Sequence, residues 1–204
     1  MAKFMNTRNC ILICLLMTCS EFSFAHKAKI GRFEVIPGTR MSIYAYGSNA
    51  NQWDYIYIDS PWAAPFFVEE RDIASFIQYT QKAIDAYKQW TQEVETIGNV
   101  SMYHKHIDFN KTIFIHHYDG YDNYSIERKH KESAIRTLSY DFFVAKDGAA
   151  VLLECNITTS YNQLSFYLDA EGADDFIYVL RHATERYLSN PNVKAENALD
   201  KLLH

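Results

Sequence analysis

Hydrophobic and polar positions divide this chain into short alternating runs and two longer stretches with a three-to-four-residue period. Arg40–Ala45 and Asp54–Asp59 alternate or nearly alternate, as strands with one buried face do. Phe33–Ile36, Met41–Tyr46, Tyr55–Ile58 and Pro65–Val68 are rich in aromatic and β-branched residues. Pro37-Gly38, Gly47-Ser48-Asn49 and Ser60-Pro61 separate them, so four strands are predicted. From Glu70 to Ile97 the period lengthens. Ile73, Phe76, Ile77, Thr80, Ile84, Tyr87, Thr91 and Val94 form the single buried stripe of a long helix, with Gly98 as its stop. Glu69 and Glu70 stand where the helix dipole favours acids.

The same sequence of patterns then returns. Phe66-Phe67-Val68 leads into a helix carrying Phe76, Ile77, Ala83 and Tyr87. Phe166-Tyr167-Leu168 leads into one carrying Phe176, Ile177, Ala183 and Tyr187. Upstream, Met41–Tyr46 matches Leu138–Phe143, and Tyr55–Ile58 matches Val151–Glu154. An internal repeat fixes architecture before any motif does. Strands followed by a helix, twice, predict an α+β fold of antiparallel sheets with two helices, an internal duplication of a strands-then-helix module. The pseudo-repeats span about 31–98 and 101–189 and together make one domain over 26–204. The second repeat helix is expected from Glu171 to Leu188, and Lys194–Leu203 as a short terminal helix over 194–203.

Between the repeats, Met102–Phe109 and Thr112–Tyr118 read as a hairpin turning at Asn110-Lys111. Leu138–Ala145 and Ala149–Cys155 read as another, turning at Lys146-Asp147-Gly148. The element order resembles the duplicated sheet-plus-helix modules of the whirly and PUR single-stranded nucleic-acid binders. The resemblance implies a layout only, because fold does not carry function with it.

Residues 1–25 have the form of an export signal. Lys3 and Arg8 supply positive charge, Cys10–Met17 is a short apolar core, and Ser23-Phe24-Ala25 ends in small residues suited to cleavage. The core is shorter than the roughly 20 residues of a membrane span, and no transmembrane segment is expected after it. A competing route is lipidation at Cys19, after Leu16-Met17-Thr18. The expected location is the periplasm or exterior, with or without that anchor. Cleavage after Ala25 would leave Cys155 as the lone cysteine, so no intramolecular disulfide is expected. It would also move the net charge from −5 to −6, by removing Lys3, Arg8 and Glu21. That charge disfavours a phosphate backbone, and the one basic cluster, Arg128–Lys131 with Arg136, is interrupted by Glu127 and Glu132. Nucleic acid is therefore not expected as a partner.

Chemistry is sparse. No phosphate-binding glycine loop, Gly-x-Ser-x-Gly elbow, His-Glu-x-x-His helix or paired-cysteine spacing occurs. His104, His106, His116 and His117, with Asp108, form the one cluster of titratable side chains. A two-residue turn at Asn110-Lys111 would pair His106 with Ile115 and His104 with His117. His104, His106 and His117 would then share a sheet face. A polar sheet face is the favoured reading, and an open three-ligand zinc site is its rival. Tyrosine is the other excess: Tyr44, Tyr46, Tyr55, Tyr57, Tyr118, Tyr121, Tyr124 and Tyr161 suit recognition of proteins, peptides or glycans. The sequence therefore points to an exported bacterial envelope protein, a non-catalytic binding or accessory module using tyrosine-rich sheet surfaces. Catalytic residues stay unassigned, and no cofactor or metal is expected. The alternatives are a small hydrolase or metal-dependent enzyme using His104, His106 and His117, and an inhibitor or immunity-type protein.

Overall fold

The computed structural model describes residues 26–35, 39–59, 65–98, 100, 102–120, 122, 124–148, 150–160, 162–195 and 198. The fold mixes helix with one large antiparallel sheet. Its strands are β1 (His26–Val35), β2 (Thr39–Gly47), β3 (Tyr55–Asp59), β4 (Phe66–Glu69), β5 (Tyr103–His106), β6 (Ile113–His117), β7 (Ala134–Val144), β8 (Val151–Thr158) and β9 (Gln163–Leu168). They lie in the order β1-β2-β3-β4-β6-β7-β8-β9, with β5 also on β7. The helices are α1 (Glu70–Ile97), α2 (Ile126–Lys131), α3 (Ala170–Arg181) and α4 (Ala183–Ser189). Among the described residues no helix is long and apolar enough to cross a membrane.

Alternation gives the sheet two distinct faces. Met41, Ile43 and Ala45 of β2, Ile56 and Ile58 of β3 and Phe66 and Val68 of β4 point to one side. Leu138, Tyr140, Phe142, Leu153, Cys155, Phe166 and Leu168 of the later strands join them in one core cluster with α1, α3 and α4. The sheet curls around these helices. Its end strands β1 and β9 touch, and Phe66 meets Phe166 across the core with ring centroids 6.2 Å apart. Phe76 of α1 and Phe176 of α3 meet edge to face at 6.3 Å, and Phe176 packs on Phe33 of β1 at 4.8 Å.

Several elements depart from the sequence reading. β1 begins at His26, well before Phe33, because Ala28 and Ile30 alternate with Lys27 and Lys29. A bulge between Lys29 and Gly31 resets the phase, so that Phe33 and Val35 still face the core. Gly31 is required there: a Cβ would stand 2.3 Å from Val179 of α3. The second repeat helix is broken at His182, whose Nδ1 is 2.8 Å from the carbonyl oxygen of Tyr178. The last turns of α1 are largely exposed, with Trp90 on Phe142 as their anchor. Of the terminal helix expected over 194–203, Lys194, Ala195 and Ala198 are described and are helical; the rest, like residues 1–25, falls outside the described residues.

The hairpin expected at Asn110-Lys111 does not form. β5 and β6 both pair antiparallel with β7, β5 against Asp141–Val144 and β6 against Ala134–Leu138. They therefore run the same way along one edge of β7, as a single strand interrupted by residues 107–112. The interruption is stabilised locally. Ile107 keeps a backbone bond to Tyr140, and Asp108 accepts the backbone N–H of Asn110, which has a positive φ of 53°. Ile107 and Phe109 use the excursion to reach the core. The β7–β8 hairpin forms as expected, with a 3-10 turn at Lys146–Gly148.

Cys155 is fully buried on the core face and is the free cysteine among the described residues. Burial, and then the nearby carboxylates of Glu154 and Asp141, push its thiol well above the usual range. It is thus an inert space-filling residue. Cys155→Ser is expected to cost about 1–3 kcal/mol in urea melts, through a buried hydroxyl. Reductant should leave the wild-type melt unchanged; a shift would reveal a disulfide.

Candidate functional site

The outer face of the sheet carries the polar and aromatic side chains, and the cross-strand register sorts them into rows. One row crosses β1 to β4 as Lys29, Tyr44, Tyr57 and Phe67. The other crosses β5, β7, β8 and β9 as His106, Asp141, Glu154 and Tyr167.

The first row belongs to a closed aromatic cluster. Tyr46, Tyr55, Tyr57 and Phe67 are buried against one another, with Tyr44 and Ile126 packed at the margin. His130 of α2 lies flat on Tyr55 at 3.9 Å, against the edge of Phe67, with Nε2 2.8 Å from Glu69 Oε1. Burial above all holds the phenols of Tyr46, Tyr55 and Tyr57 in their neutral form, far above their ordinary value. These three tyrosines form an interior and present little surface to a partner. Tyr44, Tyr118 and Tyr124 are half-buried, while Tyr121 and Tyr161 lie outside the described residues.

The second row is open at one side. Asp141 and Glu154 are direct cross-strand partners, with 6% and 9% of their surfaces exposed. Over them lie His104 and His106 of β5, whose side chains are 56% and 59% exposed. His104 Nε2 is 3.0 Å from Glu154 Oε2 and 3.9 Å from Asp141 Oδ1, and His106 Nδ1 is 3.0 Å from that same Asp141 oxygen. Each carboxylate is held by its other oxygen. Asn156 donates to Asp141 Oδ2 at 2.5 Å, Ser165 donates to Asn156 at 2.5 Å, and Tyr167 donates to Glu154 Oε1 at 3.0 Å. One oxygen from each acid is thereby turned toward His104. The three ligand atoms of His104, Asp141 and Glu154 lie within 4.8 Å of one another.

His117 does not join them, contrary to the register expected from sequence. It is on the core face of β6, opposite Phe66, with Nδ1 2.8 Å from the carbonyl oxygen of Pro65 and Nε2 3.4 Å from Asp119. Asp119 also pairs with Arg136 and accepts from Ser160. His116 points outward, near Ser133 and His130. Asp108 serves its own turn. Of the expected cluster, His104 and His106 come together, and the partners they find are acids from β7 and β8. Sequence reading overlooked those acids. Their signal was present all the same: Asp141 and Glu154 are single acids inside apolar strand runs, positions where an unpaired charge is costly.

A cleft of about 440 Å³ lies elsewhere, lined by Arg32, Glu34, Arg40, Asp169, Glu171 and Asp175. Its charges are mixed in sign and single out no ligand. Compared with protein-family models, curated proteins and solved structures, the chain finds no significant match.

Proposed function

We propose that this chain is an exported binding protein of the bacterial envelope whose ligand carries positive charge and docks on the outer face at Asp141 and Glu154. The pairing of these two acids carries the reading. Like charges placed directly opposite on adjacent strands destabilise a sheet, and near-burial sharpens the cost. Such a pair is retained where a cation offsets it, and strain of this kind concentrates at functional sites. His104 and His106 form the exposed rim, so a ligand approaches from solvent without a cleft. The export-signal pattern of residues 1–25 supports the envelope location, whether the chain is freed after Ala25 or lipidated at Cys19.

We further propose that the domain arose by duplication of a four-strand-plus-helix unit. Its support is register as well as sequence. The rows Lys29-Tyr44-Tyr57-Phe67 and His106-Asp141-Glu154-Tyr167 occupy matching strands in the two halves. The match sets Tyr55 against Leu152, one residue on from the sequence alignment. The helix tyrosines also exchange partners: Tyr87 donates to the carbonyl of Val151, and Tyr187 to that of Asn49, each in the opposite half. On this reading one copy filled its outer row with aromatics and the other with ligand-binding groups.

The test is the double variant Asp141→Asn/Glu154→Gln. It should melt at a higher temperature than wild type, by about 1 kcal/mol of relieved repulsion. It should also bind neither divalent metal nor a lysine-rich peptide, whereas wild type binds one of these in calorimetry. Lower stability in the variant, or no cation bound by wild type, would refute the reading.

A further inference from the structure

Resting on that reading, we propose that the cation is a divalent transition-metal ion of the zinc type, held by His104 Nε2, Asp141 Oδ1 and Glu154 Oε2. The distances among these atoms fit an ion better than they fit an extended organic cation. Ligands about 2.0–2.1 Å from a tetrahedral zinc stand about 3.4 Å from one another. His104 Nε2 lies 3.0 Å from Glu154 Oε2 and 3.9 Å from Asp141 Oδ1, either side of that spacing. Small side-chain movements suffice to close the site.

The donors indicate the class of metal. Calcium and magnesium prefer shells made of oxygen alone, whereas imidazole suits zinc and its first-row neighbours. One imidazole and two carboxylates make a three-ligand set that leaves a position open to water or to a second ligand. Cys155 contributes nothing, since its side chain points through the sheet into the core.

The surroundings are those of a built metal site. Metal-binding carboxylates are commonly fixed by hydrogen bonds to the oxygen that does not bind. Asn156, itself held by Ser165, does this for Asp141, and Tyr167 does it for Glu154. All three come from β8 and β9, rigid strands of the sheet, whereas His104 is brought in by the separate strand β5. Two acids are thus presented ready-made, and the histidine closes over them. His106, against the same oxygen of Asp141, steadies that acid before the metal arrives.

The experiment is calorimetric titration of the purified full chain, stripped with chelator, using Zn²⁺, Mn²⁺, Mg²⁺, Ca²⁺ and a tetralysine peptide in turn. One Zn²⁺ per chain is expected. His104→Ala should weaken it by more than 100-fold, and Tyr167→Phe by roughly 10-fold, the usual range for an outer hydrogen bond. His116→Ala, an outward histidine away from the site, should change nothing. X-ray absorption of the zinc form should show nitrogen and oxygen at roughly 2.0–2.1 Å and no sulfur. Equal zinc binding by wild type and His104→Ala would overturn the assignment. Preference for Ca²⁺, Mg²⁺ or the peptide, untouched by His104→Ala, would overturn the metal while leaving the cation-binding face. Binding of none would remove both.

Discussion

Phe176→Ala should destabilise the protein by about 3–5 kcal/mol, the range for deleting a fully buried phenylalanine. Phe176 stands where three elements meet. Its ring lies on Phe33 of β1 and meets Phe76 of α1, while its own backbone belongs to α3. The cavity left by truncation cannot easily collapse, because β1 is fixed close to α3 by the approach of Gly31 to Val179. Phe76→Ala should cost a similar amount, because Phe76 is almost as buried and touches both Phe176 and Phe66. The double variant should cost less than the sum, since contacting residues share a void. Urea melts of the two singles and the double test this. A loss under about 1 kcal/mol for Phe176→Ala, or strict additivity, would mean that α1 and α3 are not joined through this ring pair.

That core was legible because burial writes itself into periodicity. Phe76, Ala83 and Tyr87 recur at helical spacing, and Ile56 with Ile58 at strand spacing, whatever lies across from them. What a side chain meets on the outer face was not legible, because register there depends on which strand pairs with which. The run from Met102 to Tyr118 shows the difference. Asn110-Lys111 has the composition of a tight turn, yet Ile107 and Phe109 gain more by reaching the core than a local hairpin could offer. Once β5 pairs with β7, His104 faces Phe143 and His106 faces Asp141, and His117 is carried to the opposite side of the sheet. Alternation places Tyr55 and Tyr57 on one face of β3, but the register that sets Tyr46 beside Tyr55, and the connection carrying His130 over them, come from the fold. A tertiary cover leaves no trace in the strands it covers.

His117 leads to the second large effect. Arg136→Met is expected to cost up to about 3 kcal/mol at neutral pH, the lower end of the range for a fully buried ion pair, because this pair is only part-buried. Arg136 and Asp119 are each about one-fifth exposed, and the guanidinium also reaches Ser160. Burial alone would raise the Asp119 carboxyl. Hydrogen bonds from Arg136 and Ser160, then the charges of Arg136 and His117, outweigh it and hold the group below its ordinary value of 3.8. A carboxyl depressed in the folded state stabilises fully above its unfolded pKa, and that contribution is lost as pH falls through the folded value. Without the guanidinium the largest lowering influence is gone, so protonating Asp119 costs the variant less than it costs wild type. The stability gap between variant and wild type should therefore narrow on acidification from pH 7 to about 3. Adding Asp119→Leu should recover most of the loss at neutral pH, because no uncompensated carboxylate remains. Urea melts across that range decide it. A constant gap at every pH, with no recovery in the double variant, would show that Arg136 acts by packing and that the charge it meets is incidental.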